Sequence, residues 1–252
     1  MRRRPSTVLT FLGTRGEIDL RTRRHRRHSS LLVQRGRARV MIDCGADWLG
    51  RLDRVRPTAI VLTHAHPDHA WGLAEGAPCP VYAAQETWDL ISAYPIRDRR
   101  VVRPGRPISI DGLRFEAFSL EHSTRAPAVG YRISDGRRRF FYAPDVVAIR
   151  ERHEALIGVD LYIGDGATIV RSMVRRRQQA LIGHTPIRTQ IGWCAKEEVR
   201  AAIFTHCGSE IVRGDAREMQ RAVRALGAQR GVNARIAHDG LMVVRGSSRA
   251  AG

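Results

Sequence analysis

At 252 residues the chain is long enough to bury one large core, and no low-complexity linker divides it, so a single domain over 1–252 is expected. No uninterrupted apolar run approaches the ~20 residues that span a bilayer, and the Arg-rich N-terminus lacks a signal peptide's apolar core, so a membrane span is excluded and a cytoplasmic protein expected. A formal net charge of +18 favours phosphorylated or polynucleotide partners, but Lys196 is the only lysine, and a GC-rich genome produces such an Arg preference whatever the function.

In chain order, strand-like runs stand at Val8–Leu12, Leu31–Gln34, Arg39–Ile42 and Ala59–Leu62. Between the first two lies the densest cationic run, Arg21 to His28. Its ordinary reading is a solvated face. Arg23, Arg24, Arg26 and Arg27 are also suited to phosphate, because guanidinium is a planar fork. The four cysteines, Cys44, Cys79, Cys194 and Cys207, form no C-x-x-C pair and read as reduced thiols; Cys207, next to His206, could approach a metal, but lining the core is its favoured reading.

The run Ala59–Leu62 leads into His64-Ala65-His66-Pro67-Asp68-His69, three imidazoles and a carboxylate within six residues. These are the donors that borderline divalent cations accept. His64 and His66 alternate at a strand end and point to one side; Asp68 and His69 are adjacent and diverge, most simply toward a second ion. Pro67 suits the first turn of a helix, so the cluster sits on a strand-to-helix corner. Further strands are expected at Phe115–Leu120, Val129–Ile133, Arg138–Tyr142, Leu161–Ile163, Ala201–Thr205 and Leu241–Val244, and helices at Gln85–Ser92, Arg188–Lys196 and Ala216–Leu226. His122, Asp145 and His206 each follow one of these strands. The runs Arg137-Arg138-Arg139 and Arg175-Arg176-Arg177 read as a hairpin turn and an exposed loop.

The pattern H-x-H-x-D-H, standing as His64, His66, Asp68 and His69, resembles the metallo-β-lactamase superfamily, and the resemblance spans Val8 to Val244. It implies an α+β fold, a four-layer αββα sandwich, with His122 completing the first metal's histidines, Asp145 bridging two metals and His206 completing the second. It also implies two divalent ions, Zn²⁺ first and Mn²⁺ or Fe²⁺ as alternatives, whose bridging hydroxide attacks phosphorus. Asp68 is expected to act in catalysis as well as ligation, and Asp43 to support the histidines by accepting a ring N–H.

Leu12-Gly13-Thr14-Arg15-Gly16, His28-Ser29-Ser30-Leu31 and Asp43-Cys44-Gly45 are similar to the opening of the ribonuclease Z type. In that group a histidine in the context Gly183-His184-Thr185-Pro186 assists proton transfer to the leaving group, which makes His184 the candidate acid and Asp165 the residue that orients it. The competing readings are a histidine at a helix N-terminus capped by Thr185, and a turn-capping aspartate. Little more than a hairpin separates His122 from Asp145, so the protruding arm of the transfer-RNA-processing enzymes is missing. That argues against transfer-RNA 3′ processing and shifts the resemblance toward the compact phosphodiesterases, such as the cyclic phosphodiesterase of the carbon-phosphorus lyase pathway, although the cysteine-rich zinc segment of that enzyme is absent here, as is the β-CASP insertion.

The favoured function is a compact phosphodiesterase or small ribonuclease Z-like nuclease acting on a small molecule or nucleic acid. The alternatives are a lactonase or thioester hydrolase, with Tyr131 beside the metals, and a silent nucleic-acid-binding module. His66 stands where the redox branch carries Glu, which argues against an oxygen reductase. Many members form a homodimer, but no local signal in this chain shows it.

Overall fold

The β-branched and aromatic runs pair into two sheets in the computed structural model, which describes residues 6–245. The arginines at positions 2 to 4, part of the stretch read as lacking a leader's apolar core, lie outside the described residues. The first sheet has seven strands, in the spatial order Met242–Arg245, Thr7–Gly13, Ser30–Arg35, Ala38–Ile42, Ala59–Val61, Val81–Ala84 and Arg99–Val102. The second has eight: Ala148–Ile149, Leu113–Glu121, Ala128–Ser134, Arg139–Tyr142, Leu161–Asp165, Ala201–Thr205 and Asn233–Ile236 in order, with Ile108–Ile110 paired to Leu113–Glu121.

Alternation along the strands sends side chains to two different cores. Inward residues such as Phe11, Val33 and Val40 of the first sheet meet Phe115, Tyr131, Tyr142 and Ile163 of the second. The opposite face of the second sheet, including Phe141, Tyr162 and Phe204, packs against Ile187, Ile191 and Cys194 of the helix Ile187–Lys196. On the other side Met41, Ile60 and Val81 are covered by Trp48, Leu52 and Trp88. The layers therefore run helix, sheet, sheet, helix, as expected of the αββα sandwich. Among the described residues no helix is long and apolar enough to cross a membrane.

Direction within the sheets decides where the site lies. Ala38–Ile42, Ala59–Val61 and Val81–Ala84 run parallel to one another, and so do Arg139–Tyr142, Leu161–Asp165 and Ala201–Thr205. Parallel strands finish at a common edge. The residues that follow them, Asp43, His64, Asp145 and His206, are thereby delivered to one place.

One expectation is corrected. Arg175–Arg177 is not a plain loop but one strand of a separate two-stranded ribbon, antiparallel to Ala180–Ile182. Its turn lacks the usual glycine, and Gln178 takes the left-handed conformation at φ 55°.

Gly45 shows why Asp43-Cys44-Gly45 is short and small. A Cβ there would lie 1.9 Å from the Asp68 carbonyl oxygen, so the strand end passes directly beneath the corner that carries Asp68 and His69. Gly45→Ala is expected to lower stability by about 1–3 kcal/mol, as overpacking does, and to reduce metal content. Urea midpoints and metal analysis check this; an unchanged midpoint would mean that the corner yields freely.

Candidate metal centre

Asp43 sets the geometry of the first corner. It is fully buried and held in the left-handed region, φ 63°, immediately after the strand Ala38–Ile42. Its Oδ1 accepts from Thr63 N–H at 2.8 Å and from the Thr63 hydroxyl at 2.9 Å, tying the neighbouring strand end to it. Its Oδ2 accepts from His69 Nδ1 at 2.9 Å, leaving His69 Nε2 free. Pro67 occupies the first turn of the short helix Pro67–Ala70, which carries Asp68 and His69.

Two donor groups result. In the first, His64 Nε2 lies 2.9 Å from His66 Nδ1, which is 3.3 Å from His122 Nε2. In the second, Asp68, His69, Asp145 and His206 converge. His69 Nε2 is 2.6 Å from Asp145 Oδ2 and 3.1 Å from Asp68 Oδ2, while His206 Nε2 is 3.1 Å from Asp68 Oδ2 and 3.3 Å from Asp145 Oδ1. Asp145 faces both groups, since its Oδ2 and Oδ1 also come to 4.0 Å from His64 Nε2 and His122 Nε2.

The donors fit cations. His69 Nε2 and Asp145 Oδ2 are buried without a hydrogen-bond partner although 2.6 Å apart, because they aim into shared space rather than at each other. A divalent ion held by imidazole and carboxylate satisfies both.

The electrostatics agree. Burial pushes His64 well down, helped by His69 and His122, and lowers His66 to about 4, so both favour the neutral ring that ligates. Burial opposes charge on His206 and His69 as well. Asp145, Asp165 and Asp68 nevertheless raise His206 to about 10, and Asp68, Asp145 and Asp43 hold His69 well above the usual range. In turn the histidines outweigh burial at Asp68 and Asp145 and hold both carboxyls well below the usual range. Without metal, protons supply the positive charge that the carboxylates demand.

A further histidine stands over this cluster. His184 stacks on His206, ring centres 5.4 Å apart, and its Nδ1 donates to Asp165 Oδ2 at 2.8 Å. Asp165 is fully buried, and its oxygens also accept from Val146 N–H and Ala167 N–H. It therefore orients His184 besides closing a turn. Burial would lower His184, but Asp165 and Asp145 raise it overall. The reading of His184 as a helix-terminal residue does not hold: the helix Ile187–Lys196 has no side-chain cap, and the Thr185 hydroxyl donates to the Val147 carbonyl.

Several partners escaped the sequence. Gln190, fully buried, accepts from Asp165 N–H at 3.0 Å and donates to the Asp165 and Thr185 carbonyls, clamping His184's support. Its signal was a lone amide on the helix face of Ile187, Ile191 and Cys194. Gly16 touches the cluster from the first loop, since a Cβ there would meet His206 Cε1 at 3.0 Å. Beside it, burial raises the Glu17 carboxyl to about 7, with the charge of Asp68 adding to the effect.

The arginine loop is built rather than loose. Arg15, buried, pairs with Asp47 at 2.8 Å, and Asp47 also accepts from His28 N–H and pairs with Arg21. Asp239 accepts from Thr14 Oγ1 and from the Arg26 and Arg27 amides. Arg27 lies over the Trp48 ring at 5.0 Å, which turns its guanidinium to packing. Arg23, Arg24 and Arg26 are exposed and make no ion pair among the described residues. Tyr131 is withdrawn from the centre: it is fully buried between the sheets and donates to the Leu62 carbonyl at 2.9 Å. Cys207 is buried and unpaired, as are Cys44 and Cys194, and Cys79 is unpaired and half-buried.

The model of the beta-lactamase superfamily domain matches residues 38–207. Ribonuclease Z of Methanopyrus kandleri is 33% identical over 143 residues, which cover 50% of this chain and 50% of that protein. The chain thus matches half the length of that relative. Among solved structures, the metallo-beta-lactamase fold protein YhfI from Bacillus subtilis superposes with a TM-score of 0.74 at 16% identity, covering 95% of this chain and 99% of that one. A diphosphatase from the PhnP family superposes with a TM-score of 0.69 at 21% identity, covering 95% and 97%. These superpositions show the fold.

Because the surrounding carboxylates hold His69 above the usual imidazole range and raise His206 to about 10 in the metal-free cluster, metal uptake near neutral pH is expected to release protons. Calorimetry in buffers of differing ionisation enthalpy measures this. Uptake with no proton release would contradict the charge assignment.

Proposed function

This chain belongs to the metallo-β-lactamase superfamily, and from that premise we propose that it is a compact phosphodiesterase with a dinuclear metal centre, built as one catalytic domain. The observation that carries the reading is His184, held over the donor cluster by the buried carboxylate of Asp165. A hydrolase that acts on an ester with a poor leaving group needs an acid there. The likeness to ribonuclease Z over half the chain supports a phosphodiester substrate.

His64, His66 and His122 would hold one divalent cation and Asp68, His69 and His206 a second, with Asp145 between; ions so bound supply ionised water near neutral pH and neutralise phosphoryl charge. The mixed imidazole and carboxylate set favours Zn²⁺, with Mn²⁺ and Fe²⁺ as alternatives. Asp43 fixes the His69 ring through Nδ1, and Thr63 fixes Asp43. His184 spends its Nδ1–H on Asp165, so the Nε2–H is the proton it delivers to the departing oxygen. Asp165 keeps that proton in place by raising the imidazole's affinity for it. Arg23, Arg24 and Arg26 remain available for a flanking phosphate. The unpaired cysteines fit a reducing cytoplasm. The withdrawal of Tyr131 into the core removes the residue on which the lactonase reading leaned.

His184→Ala is expected to keep its metal and to lose about 10²–10⁴-fold in kcat on a diester with an alkoxide leaving group, and far less on bis-p-nitrophenyl phosphate. Equal losses on both would assign His184 a structural role. In Asp165→Asn the imidazole loses its raising partner, so the acid form disappears at lower pH and the basic limb of the kcat profile moves down. A limb that stays in place would contradict the pairing. Turnover of a homoserine lactone without diester cleavage would overturn the proposed function itself.

A further inference from the structure

The ribbon formed by Arg175–Arg177 and Ala180–Ile182 belongs to neither sheet, and it is rooted on two histidines of the site. At its base Gly183 N–H donates to the His122 carbonyl at 2.9 Å, His122 Nδ1 donates to the Gly183 carbonyl at 3.1 Å, and Met173 N–H donates to the His184 carbonyl at 3.2 Å. Arg175 pairs with Ile182, two residues before His184. The three arginines are therefore joined to the edge of the catalytic cluster by a short, hydrogen-bonded support, whose second strand Ala180–Ile182 is half-buried.

Neither packing nor ion pairing uses these side chains. Arg175, Arg176 and Arg177 are all exposed, as is Arg171 at the foot of the ribbon, and none has a carboxylate partner among the described residues. Adjacent guanidinium groups without counter-charges repel one another and weaken the ribbon that bears them. Alternation sends Arg175 and Arg177 to one face and Arg176 to the other, so the ribbon offers positive charge on both sides. From His184 to the turn is about six residues, roughly 20 Å at about 3.3 Å each, which is the span of about six stacked nucleotides at about 3.4 Å. A single small diester leaves the outer part of this length unused.

We propose that the ribbon is a docking arm for the phosphate backbone of a single-stranded polynucleotide whose scissile diester lies beneath His184. The inference rests on the phosphodiesterase reading and names its substrate class. A single strand suits the site because His64 and His69 are fully buried, so the scissile diester has to bend in toward the cluster, which a flexible strand does more readily than a duplex.

The test measures fluorescence anisotropy of labelled 12-nucleotide oligo-U and oligo-dT with metal-loaded His184→Ala protein, which leaves the strand uncut. The comparison adds Arg175→Gln, Arg176→Gln and Arg177→Gln in the same background. At low salt the triple change is expected to weaken binding at least tenfold and to reduce the log–log salt slope by about 2, at about 0.7 per lost phosphate contact. The stronger binder of the two oligonucleotides identifies the sugar. Arg→Lys at the same three positions keeps most of the slope, which guards against misfolding of the Gln variant. With His184 intact, the triple Gln variant is expected to turn over bis-p-nitrophenyl phosphate at the unmodified rate. Unchanged oligonucleotide affinity and slope would overturn the docking arm, and so would binding to phosphatidylserine vesicles without oligonucleotide binding. Absence of diester turnover in the unmodified protein would instead strike the phosphodiesterase reading, leaving the oligonucleotide titration to judge the ribbon separately.

Discussion

The contact between Asp43 and His69 is the one on which the centre depends. A carboxylate buried from solvent is unfavourable unless it is paired and hydrogen-bonded; Asp43 draws on Thr63 and His69 for this, although burial still raises its carboxyl above the usual range. In doing so it joins the ends of two parallel strands and aims one imidazole into the space between the sheets' edges. Removing it would leave a ring N–H and a backbone N–H buried without acceptors, at about 1–3 kcal/mol each. Its own backbone is left-handed, as is that of His206, so the centre stores strain at two of its corners. The sandwich supplies the rigidity that holds such corners.

Charge follows from the same arrangement. Carboxylates and imidazoles drawn together in a buried place compete for positive charge, and the cluster resolves this by binding cations or protons. The donor set offered to a cation, the ring orientations and the raised proton affinity of His184 are consequences of one network. Asp165 extends that network to the outer histidine, and Gln190 fixes Asp165 in turn. The positive surface beyond it divides into parts with different physics. The backbone of the loop from Arg21 to His28 is stapled by Asp47 and Asp239, with Arg23, Arg24 and Arg26 left without an ion pair, and the ribbon's arginines have no acidic partner among the described residues either.

Much of this was legible in the chain. Donor residues cluster in sequence because successive strand-end residues share one edge, which is why His64 to His69 announced the centre and His122, Asp145 and His206 followed their strands. The long alternating strands were equally visible. Val81–Ala84 was not, since four buried residues run straight into a helix and leave no alternation to read. Arg99–Val102 carries mostly exposed side chains, and its strand character comes from pairing alone. The ribbon at Arg175 hides for a related reason: a glycine-free turn between three arginines and the apolar run Ala180–Ile182 gives neither alternation nor a hairpin signal. Gln190 and Thr63 were invisible as partners because their meaning lies in contacts across the fold, not in their neighbours along the chain.

The proposed pair of cations is tested most directly by anomalous diffraction from crystals grown with Zn²⁺, collected on both sides of the metal edge. Two peaks about 3.5–4 Å apart, one among His64, His66 and His122 and the other among Asp68, His69 and His206 with Asp145 between, are the expected result. A single peak, or peaks held by residues outside these two groups, would contradict a dinuclear centre.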